Sequence, residues 1–466
     1  MKKIFLIGFI FLFCGASAQD ITGEWNGALE VMGQKLRLVF HIEKGDQGYT
    51  GKMDSPDQKA FGIPVTSVTF ENLELVVTIA PIMAEYKGKL EDQVFKGTFT
   101  QTGMSFPMNL QREAIAPAVL NRPQEPKEPF PYKAEDVNFR NDADQISLAG
   151  TLTIPAGEGP FPAVVLISGS GPQNRDEEIF GHKPFKVIAD HLAKNGIAAL
   201  RFDDRGTGDS EGNFTAATSL DFCRDVLAAL SYLKTRPEIS RQNTGLIGHS
   251  EGGMIAPMVA ILSEEVAFIV LLAGPGIPGD ELLMLQSRLI GKATGLTDEQ
   301  LNRGSVMNRN IYTLVRDEKD PDQLAVKLTK YLKENIHILK ENPGYSGMDE
   351  NVLAGMLVKQ MTQPWMRFFI AHDPAPVLER VKCPVLALNG EKDLQVPPQE
   401  NLSAIQAAAE RGGNSRVTVK ELKGLNHLFQ ECTTGSPAEY QMIEQTFSPE
   451  ALSEISGWIQ SVVNKK

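Results

Sequence analysis

The 466-residue chain has only four cysteines and three tryptophans, no excess of basic charge, and no apolar run long enough to cross a bilayer. One cysteine, Cys14, falls in an N-terminal apolar stretch. That leaves Cys223, Cys383 and Cys432, too sparse and odd a set for a disulfide framework, and they read as small buried hydrophobes. No spacing of zinc ligands is present, so no metal is expected. The longest apolar run, Ile4–Phe13, is too short for stable membrane insertion. Lys and Arg total 46 against 58 Asp and Glu, a net charge of −12, which argues against nucleic acid or an anionic membrane as partner. With 42% hydrophobic and 22% charged residues, the composition excludes a disordered chain.

What is present falls into segments. Residues 1–18 read as a secretory leader: Lys2 and Lys3, then the apolar stretch, then Ala16-Ser17-Ala18 as a cleavage site before Gln19. The mature chain is therefore expected to be exported, periplasmic or extracellular. Residues 20–112 look all-β. Leu36, Leu38, Phe40 and Ile42 alternate with Arg37, Val39, His41 and Glu43, and similar runs recur at Leu73–Ile79, Val94–Thr100 and Ser105–Leu110. About eight strands are expected, enough for a small barrel or sandwich. Gly23-Glu24-Trp25-Asn26-Gly27 resembles the G-x-W start of lipocalin-like barrels. This module reads as stabilising or docking, with a ligand-binding barrel as the alternative. Five prolines (Pro117, Pro123, Pro126, Pro129, Pro131) mark 113–131 as an extended linker.

From 132 to 466 the pattern alternates between strands and helices, as in an α/β, doubly wound, mostly parallel sheet. Expected strands are Ile146–Ile154, Ala163–Ile167, Ile197–Phe202, Phe268–Leu272, Val385–Leu388 and Val417–Leu422. Expected helices are Lys183–Asn195, Leu220–Lys234 and Pro449–Val463. Residues 277–375 interrupt the alternation with helical segments alone. Lying between two sheet strands, they should form a helical lid over the carboxyl edge. Thr297-x-x-Gln300 is a capping-box pattern within them.

The organising stretch is Thr244-Gly-Leu-Ile-Gly-His-Ser-Glu-Gly-Gly253, a G-x-S-x-G pattern between a strand-like run and an apolar helix-like segment. A serine at so sharp a strand-to-helix turn exposes its Oγ, and the glycines remove Cβ atoms that would clash. Ser250 is therefore the candidate nucleophile. Of seven histidines, His427 follows an expected strand in a loop able to reach the sheet's carboxyl edge, and it takes the base role. His249 should pack beside the elbow. Asp393, in the loop after Val385–Leu388, is the candidate acid, with Glu391 as alternative. An oxyanion needs two converging N–H donors. The backbone of Glu251 should give one and that of Ser170 the other, with Gly171 next. Arg175 and Asp176 are read as a pair fixing that loop.

Taken together, Gly248–Gly253, Asp204-Arg-Gly-Thr-Gly-Asp-Ser210, Gly390-Glu-Lys-Asp393 and Asn426-His427, in the order Ser, Asp, His, resemble the α/β-hydrolase superfamily. Similarity is greatest to its secreted esterase and serine-aminopeptidase-like branch. The resemblance implies a serine hydrolase acting through an acyl-enzyme, with no cofactor. Its substrate would be a small-molecule acyl ester, with thioester as a close variant. An aminopeptidase is the second reading and would need an acidic lid group, for which Asp317, Glu318, Asp320 and Glu334 are available. A third reading is a binding protein that keeps an inactive fold. Ser168 stands where many members carry the histidine of an H-G motif. Asp204–Ser210 should shape a tight turn beside the site.

Overall fold

The structure, a computed structural model, describes residues 20–31, 34–45, 48–58, 60–101, 104–116, 121–341, 345 and 348–464. The leader and its cleavage position lie outside the described residues, as do residues 117–120 of the linker. The chain divides into two compact units, Met1–Ala118 and Val119–Lys466.

In the first unit the described residues form nine strands: β1 (Gly23–Val31), β2 (Gln34–Gly45), β3 (Gly48–Ser55), β4 (Ala60–Pro64), β5 (Ser67–Glu71), β6 (Glu74–Ile79), β7 (Ala84–Glu91), β8 (Val94–Gln101) and β9 (Met104–Leu110). All pairings are antiparallel, in the order β1-β2-β3-β5-β6-β7-β8-β9. The short β4 pairs only with β3, which takes the count past the eight expected. Strict alternation makes the faces: in β7, Ala84, Tyr86, Gly88 and Leu90 are buried while Glu85, Lys87, Lys89 and Glu91 face water. Asn26 and Gln111 exchange both backbone hydrogen bonds, at 2.7 and 2.9 Å, so the sheet nearly closes on itself. Trp25 of the G-x-W motif anchors the seam. Its indole N–H donates to the Ile21 carbonyl at 2.8 Å, its ring meets Phe95 edge-on at 4.6 Å, and the Arg112 guanidinium lies 3.8 Å above it. Phe40, Tyr86, Phe95 and Phe99 fill the interior.

The second unit is built on an eight-stranded sheet: β10 (Lys133–Asn141), β11 (Ile146–Ile154), β12 (Phe161–Ile167), β13 (Ala198–Phe202), β14 (Ile239–His249), β15 (Ile269–Leu272), β16 (Val385–Gly390) and β17 (Val417–Leu422). The order is β10-β11-β13-β12-β14-β15-β16-β17. From β13 onward all neighbours are parallel; β11 pairs antiparallel with both β10 and β13 and is the strand that runs against the others, which agrees with the expected mostly parallel, doubly wound sheet. The central strands are buried on both faces. Helices α1 (Pro184–Lys194) and α11 (Pro449–Val463) cover one face through Ile188, Leu192, Ile455 and Ile459. The other face meets α2 (Ser219–Thr235), α3 (Glu251–Ala260) and α10 (Pro398–Arg411) through Val226, Leu230, Ile255 and Ile405. Each set of side chains removes apolar surface from water at about 25 cal/mol per Å².

Between β15 and β16 run α4 (Gly279–Ala293), α5 (Asp298–Asp317), α6 (Pro321–Leu339), α7 (Glu350–Thr362), α8 (Pro364–Ala371) and the short α9 (Ala375–Leu378). The capping box forms as its sequence implies: Thr297 Oγ1 accepts from Gln300 N–H at 3.3 Å, and Gln300 Oε1 accepts from Thr297 N–H at 2.9 Å. Among the described residues no helix is long and apolar enough to cross a membrane. Cys223, Cys383 and Cys432 are unpaired.

Candidate active site

Strand β14 delivers Ser250 to the head of α3. The serine takes φ 52° and ψ −116°, a left-handed conformation costing on the order of 1–3 kcal/mol for a residue with a side chain. Two backbone bonds hold it: Ser250 N–H donates to the Leu272 carbonyl at 2.8 Å, and Gly253 N–H donates to the Ser250 carbonyl at 2.9 Å. The glycines are needed for close approach. A Cβ on Gly248 would lie 1.9 Å from the Gly252 carbonyl oxygen, and one on Gly252 would lie 2.1 Å from the Ile167 carbonyl oxygen. At the first turn of α3 the N–H of Glu251 has no carbonyl one turn back within the helix, so it is available to an anion.

His427 and Asp393 are brought together from the loops after β17 and β16. Asp393 Oδ2 lies 2.8 Å from His427 Nδ1, and both residues are buried. The other carboxylate oxygen accepts the N–H groups of Gln395 and Val396 at 2.8 and 2.9 Å, which fixes the carboxylate plane. Glu391 is exposed and accepts the N–H of Gly424 at 2.9 Å instead. His182 and His191 are engaged elsewhere, His191 with its Nε2 3.0 Å from Ser456 Oγ. His182 bonds the Tyr440 carbonyl at 2.9 Å, and burial pushes its pKa down to about 4.

His249 does more than pack beside the elbow. Its Nδ1 lies 2.9 Å from Glu177 Oε1, its Nε2 lies 3.0 Å from the His427 carbonyl oxygen, and its ring centre is 4.9 Å from that of His427.

The loop after β12 carries Ser168, Gly169 and Ser170. Ser170 is exposed, while Gly169 N–H is taken by Glu177 Oε1 at 2.6 Å. Arg175 and Asp176 do not pair with each other. Arg175 is drawn to Asp203, with its Nη2 2.6 Å from Oδ2, and Asp176 pairs with Arg201. Neighbours in sequence point apart here, and each finds the nearest opposite charge on the strand beneath. Ser168 donates to Asp204 at 2.6 Å, and Asp204 also accepts Gln173 N–H at 2.9 Å. Burial holds the Asp204 carboxyl well above its ordinary range. The Asp204–Ser210 segment turns tightly, with Gly206 and Gly208 at positive φ, and its acidic end braces the loop.

The insertion reaches the elbow through Trp365. Trp365 of α8 donates its indole N–H to Glu251 Oε1 at 2.7 Å, and Ser219 Oγ donates to the same oxygen at 2.6 Å. Phe369 stacks on Trp365 at 5.3 Å and joins the core over the sheet, whereas Met356 is exposed. Burial outweighs both hydrogen bonds and pushes the Glu251 carboxyl from 4.5 up to about 7. Between those values the folded protein holds a proton that the unfolded chain releases. Stability is therefore fully present below pH 4.5 and falls as pH rises to about 7. The loss amounts to roughly 3 kcal/mol. Glu251→Gln removes this dependence, so the melting temperature of the variant relative to wild type should climb across that window. Parallel curves for the two proteins would refute the assignment.

Sequence reasoning missed Glu177, the bracing role of Asp204 and the Trp365–Glu251 contact. The run Asp176-Glu177-Glu178 reads as a solvated face, and nothing local marks its middle residue as buried.

The family profile described as serine aminopeptidase, S33, matches residues 183–337, a span that holds the elbow and ends before Asp393 and His427. Esterase EstD of Thermotoga maritima is 29% identical over 314 residues, covering 67% of this chain and 65% of that protein, so the match spans just under two thirds of the relative's own length. Among solved structures, an esterase of Pyrococcus furiosus gives a TM-score of 0.44 at 16% identity over 74% of this chain and 99% of that one. A hypothetical protein of Pseudomonas aeruginosa gives 0.44 at 16% identity over 75% and 99%.

Proposed function

We propose that the chain is an α/β-hydrolase of the esterase and serine-aminopeptidase-like branch, the reading its similarities support, and that it is a serine hydrolase that cleaves carboxylic esters through an acyl-enzyme on Ser250. The observation that carries the reading is the strained Ser250 at the head of α3, with the hydrogen-bonded His427–Asp393 pair on the neighbouring loops. His427 Nε2 takes the serine proton as Oγ attacks the ester carbonyl. Asp393 keeps Nδ1 protonated and favours the imidazolium that forms. The N–H groups of Glu251 and Ser170 receive the charge that develops on the carbonyl oxygen. His427 then protonates the departing alcohol. Water enters, gives its proton to His427, and releases the acid.

The acidic groups available for an aminopeptidase support the ester reading over a peptide one. Asp317 and Glu334 are exposed, Asp320 caps α6 by accepting from Asp322 and Gln323 N–H, and Glu318 is tied to Lys327 at 2.6 Å. None is buried to receive a substrate amine. The similarity to esterase EstD of Thermotoga maritima points the same way.

A panel of short-chain nitrophenyl esters beside aminoacyl anilides tests the reading, with fluorophosphonate labelling of Ser250 alongside. Faster turnover of esters and labelling at Ser250 are expected. Preference for anilides would move the assignment to a peptidase, and an unlabelled protein would leave a binding module.

A further inference from the structure

The proposed chemistry leaves one buried pair beside Ser250 without a task. Glu177 is 4% exposed and His249 6% exposed. Two groups converge on a single oxygen of Glu177. Its Oε1 accepts Gly169 N–H at 2.6 Å and meets His249 Nδ1 at 2.9 Å. The far nitrogen of the same imidazole lies 3.0 Å from the His427 carbonyl oxygen. A carboxylate and a carbonyl can only accept. Both ring nitrogens of His249 must then carry protons, and the ring is an imidazolium. Burial opposes that charge, but the Glu177 charge, its hydrogen bond and the His427 carbonyl outweigh burial and raise the His249 pKa. Asp393 adds a smaller pull in the same direction.

The geometry is tight. A Cβ on Gly169 would sit 3.1 Å from Glu177 Oε1 and 3.2 Å from Ser250 Cβ, so the loop backbone passes close to both the carboxylate and the nucleophile. Glu177 itself stands at φ 49°, the left-handed region, and its N–H is held by the Asn174 carbonyl at 2.8 Å. A residue with a side chain persists there only where its surroundings over-determine it, and such residues gather at functional sites.

We propose that Glu177 is a positioning residue for the ester hydrolysis assigned above: one carboxylate oxygen ties the 168–173 loop to the elbow and, through His249, ties down the backbone of His427. The inference rests on that assignment of Ser250 and His427. It makes the spacing between oxyanion donor, nucleophile and base depend on a carboxylate that never touches substrate.

Two variants separate positioning from mere support. In Glu177→Ala the clamp is gone. In Glu177→Gln the amide oxygen, standing where Oε1 stands, still accepts from Gly169 N–H and from His249 Nδ1–H, so the tie between loop and elbow survives without charge. Ester kcat and KM, the rate of fluorophosphonate labelling of Ser250, thermal melts and histidine ¹⁵N shifts are measured on the full chain. Glu177→Ala should lose about 10²-fold in kcat, as for a displacement near 1 Å, with KM little changed and the melt retained. Labelling should slow with kcat, and Glu177→Gln should recover most of both. The His249 ring should read as doubly protonated in wild type and neutral in both variants. A wild type that labels and turns over, beside a folded Glu177→Ala that matches it, overturns the inference alone. So does a Glu177→Gln as slow as Glu177→Ala. A wild type inert to both esters and probe overturns the hydrolase reading, and the inference with it.

Discussion

Ser250→Ala will lower ester turnover by on the order of 10⁶ while leaving the fold intact, if nucleophile and base act as a unit. The size follows from the kind of help Ser250 gives. Without the Oγ no acyl-enzyme forms, and what remains is the N–H pair and substrate binding, which retain some 10³–10⁴-fold over water in the worked triads. For the same reason Ser250→Ala and His427→Ala together should be hardly slower than either alone. The fold should survive because alanine removes only the half-buried Oγ, while the backbone bonds to Leu272 and Gly253 do not involve the side chain. Relief from a β-hydroxyl does not relieve φ 52°, since alanine keeps a Cβ. Kinetics on purified protein with melts beside them decide the matter. Near-wild-type turnover in either single variant would remove Ser250 and His427 from the mechanism.

Asp393→Asn should cost about 10⁴ in kcat, the scale of a wrong histidine tautomer. The hydrogen bonds show why so small a change has so large an effect. The carboxylate accepts on both oxygens, from Gln395 and Val396 N–H on one side and from His427 on the other. An amide has only one acceptor end. Two backbone donors will claim it, which turns the amide nitrogen toward His427 Nδ1. That nitrogen must then accept, so the proton moves to Nε2, where the serine proton has to be received. Glu391→Gln should cost far less in kcat, since Glu391 is exposed and accepts Gly424 N–H and not a proton of His427. The opposite ranking of the two variants would transfer the acid role to Glu391.

The parts legible in the sequence are those written in local pattern. The elbow announces itself because strand, glycines, serine and apolar helix are contiguous. His427 and Asp393 each follow a buried strand closely enough for the loop to be read. The Glu177–His249 pair joins residues 72 apart and the Trp365–Glu251 contact residues 114 apart, with no spacing rule to link them. Other elements escape a sequence reading for simpler reasons. β10 buries only Val137, Phe139 and Asn141 on an edge strand, and the polar residues between them mask the alternation. α8 and α10 open on Pro364 and Pro398, which read as breaks, although a proline at the first helical position costs no hydrogen bond.

The described helices of the insertion leave from β15 and return to β16, and those strands are hydrogen-bonded neighbours, with Leu272 opposite Leu388. The two ends of the excursion are therefore fixed by the sheet, Leu272 at its carboxyl edge and Val385, which pairs with Ile269, at the opposite edge. Loop-closure entropy then grows only with the logarithm of length, about 0.6 kcal/mol for each doubling. The register that places Asp393 just past the end of β16 is set by strand pairing, not by the helices. The segment can thus lengthen or shorten at small thermodynamic cost to the sheet, while the hydrogen bond from Trp365 to Glu251 keeps it in touch with the elbow.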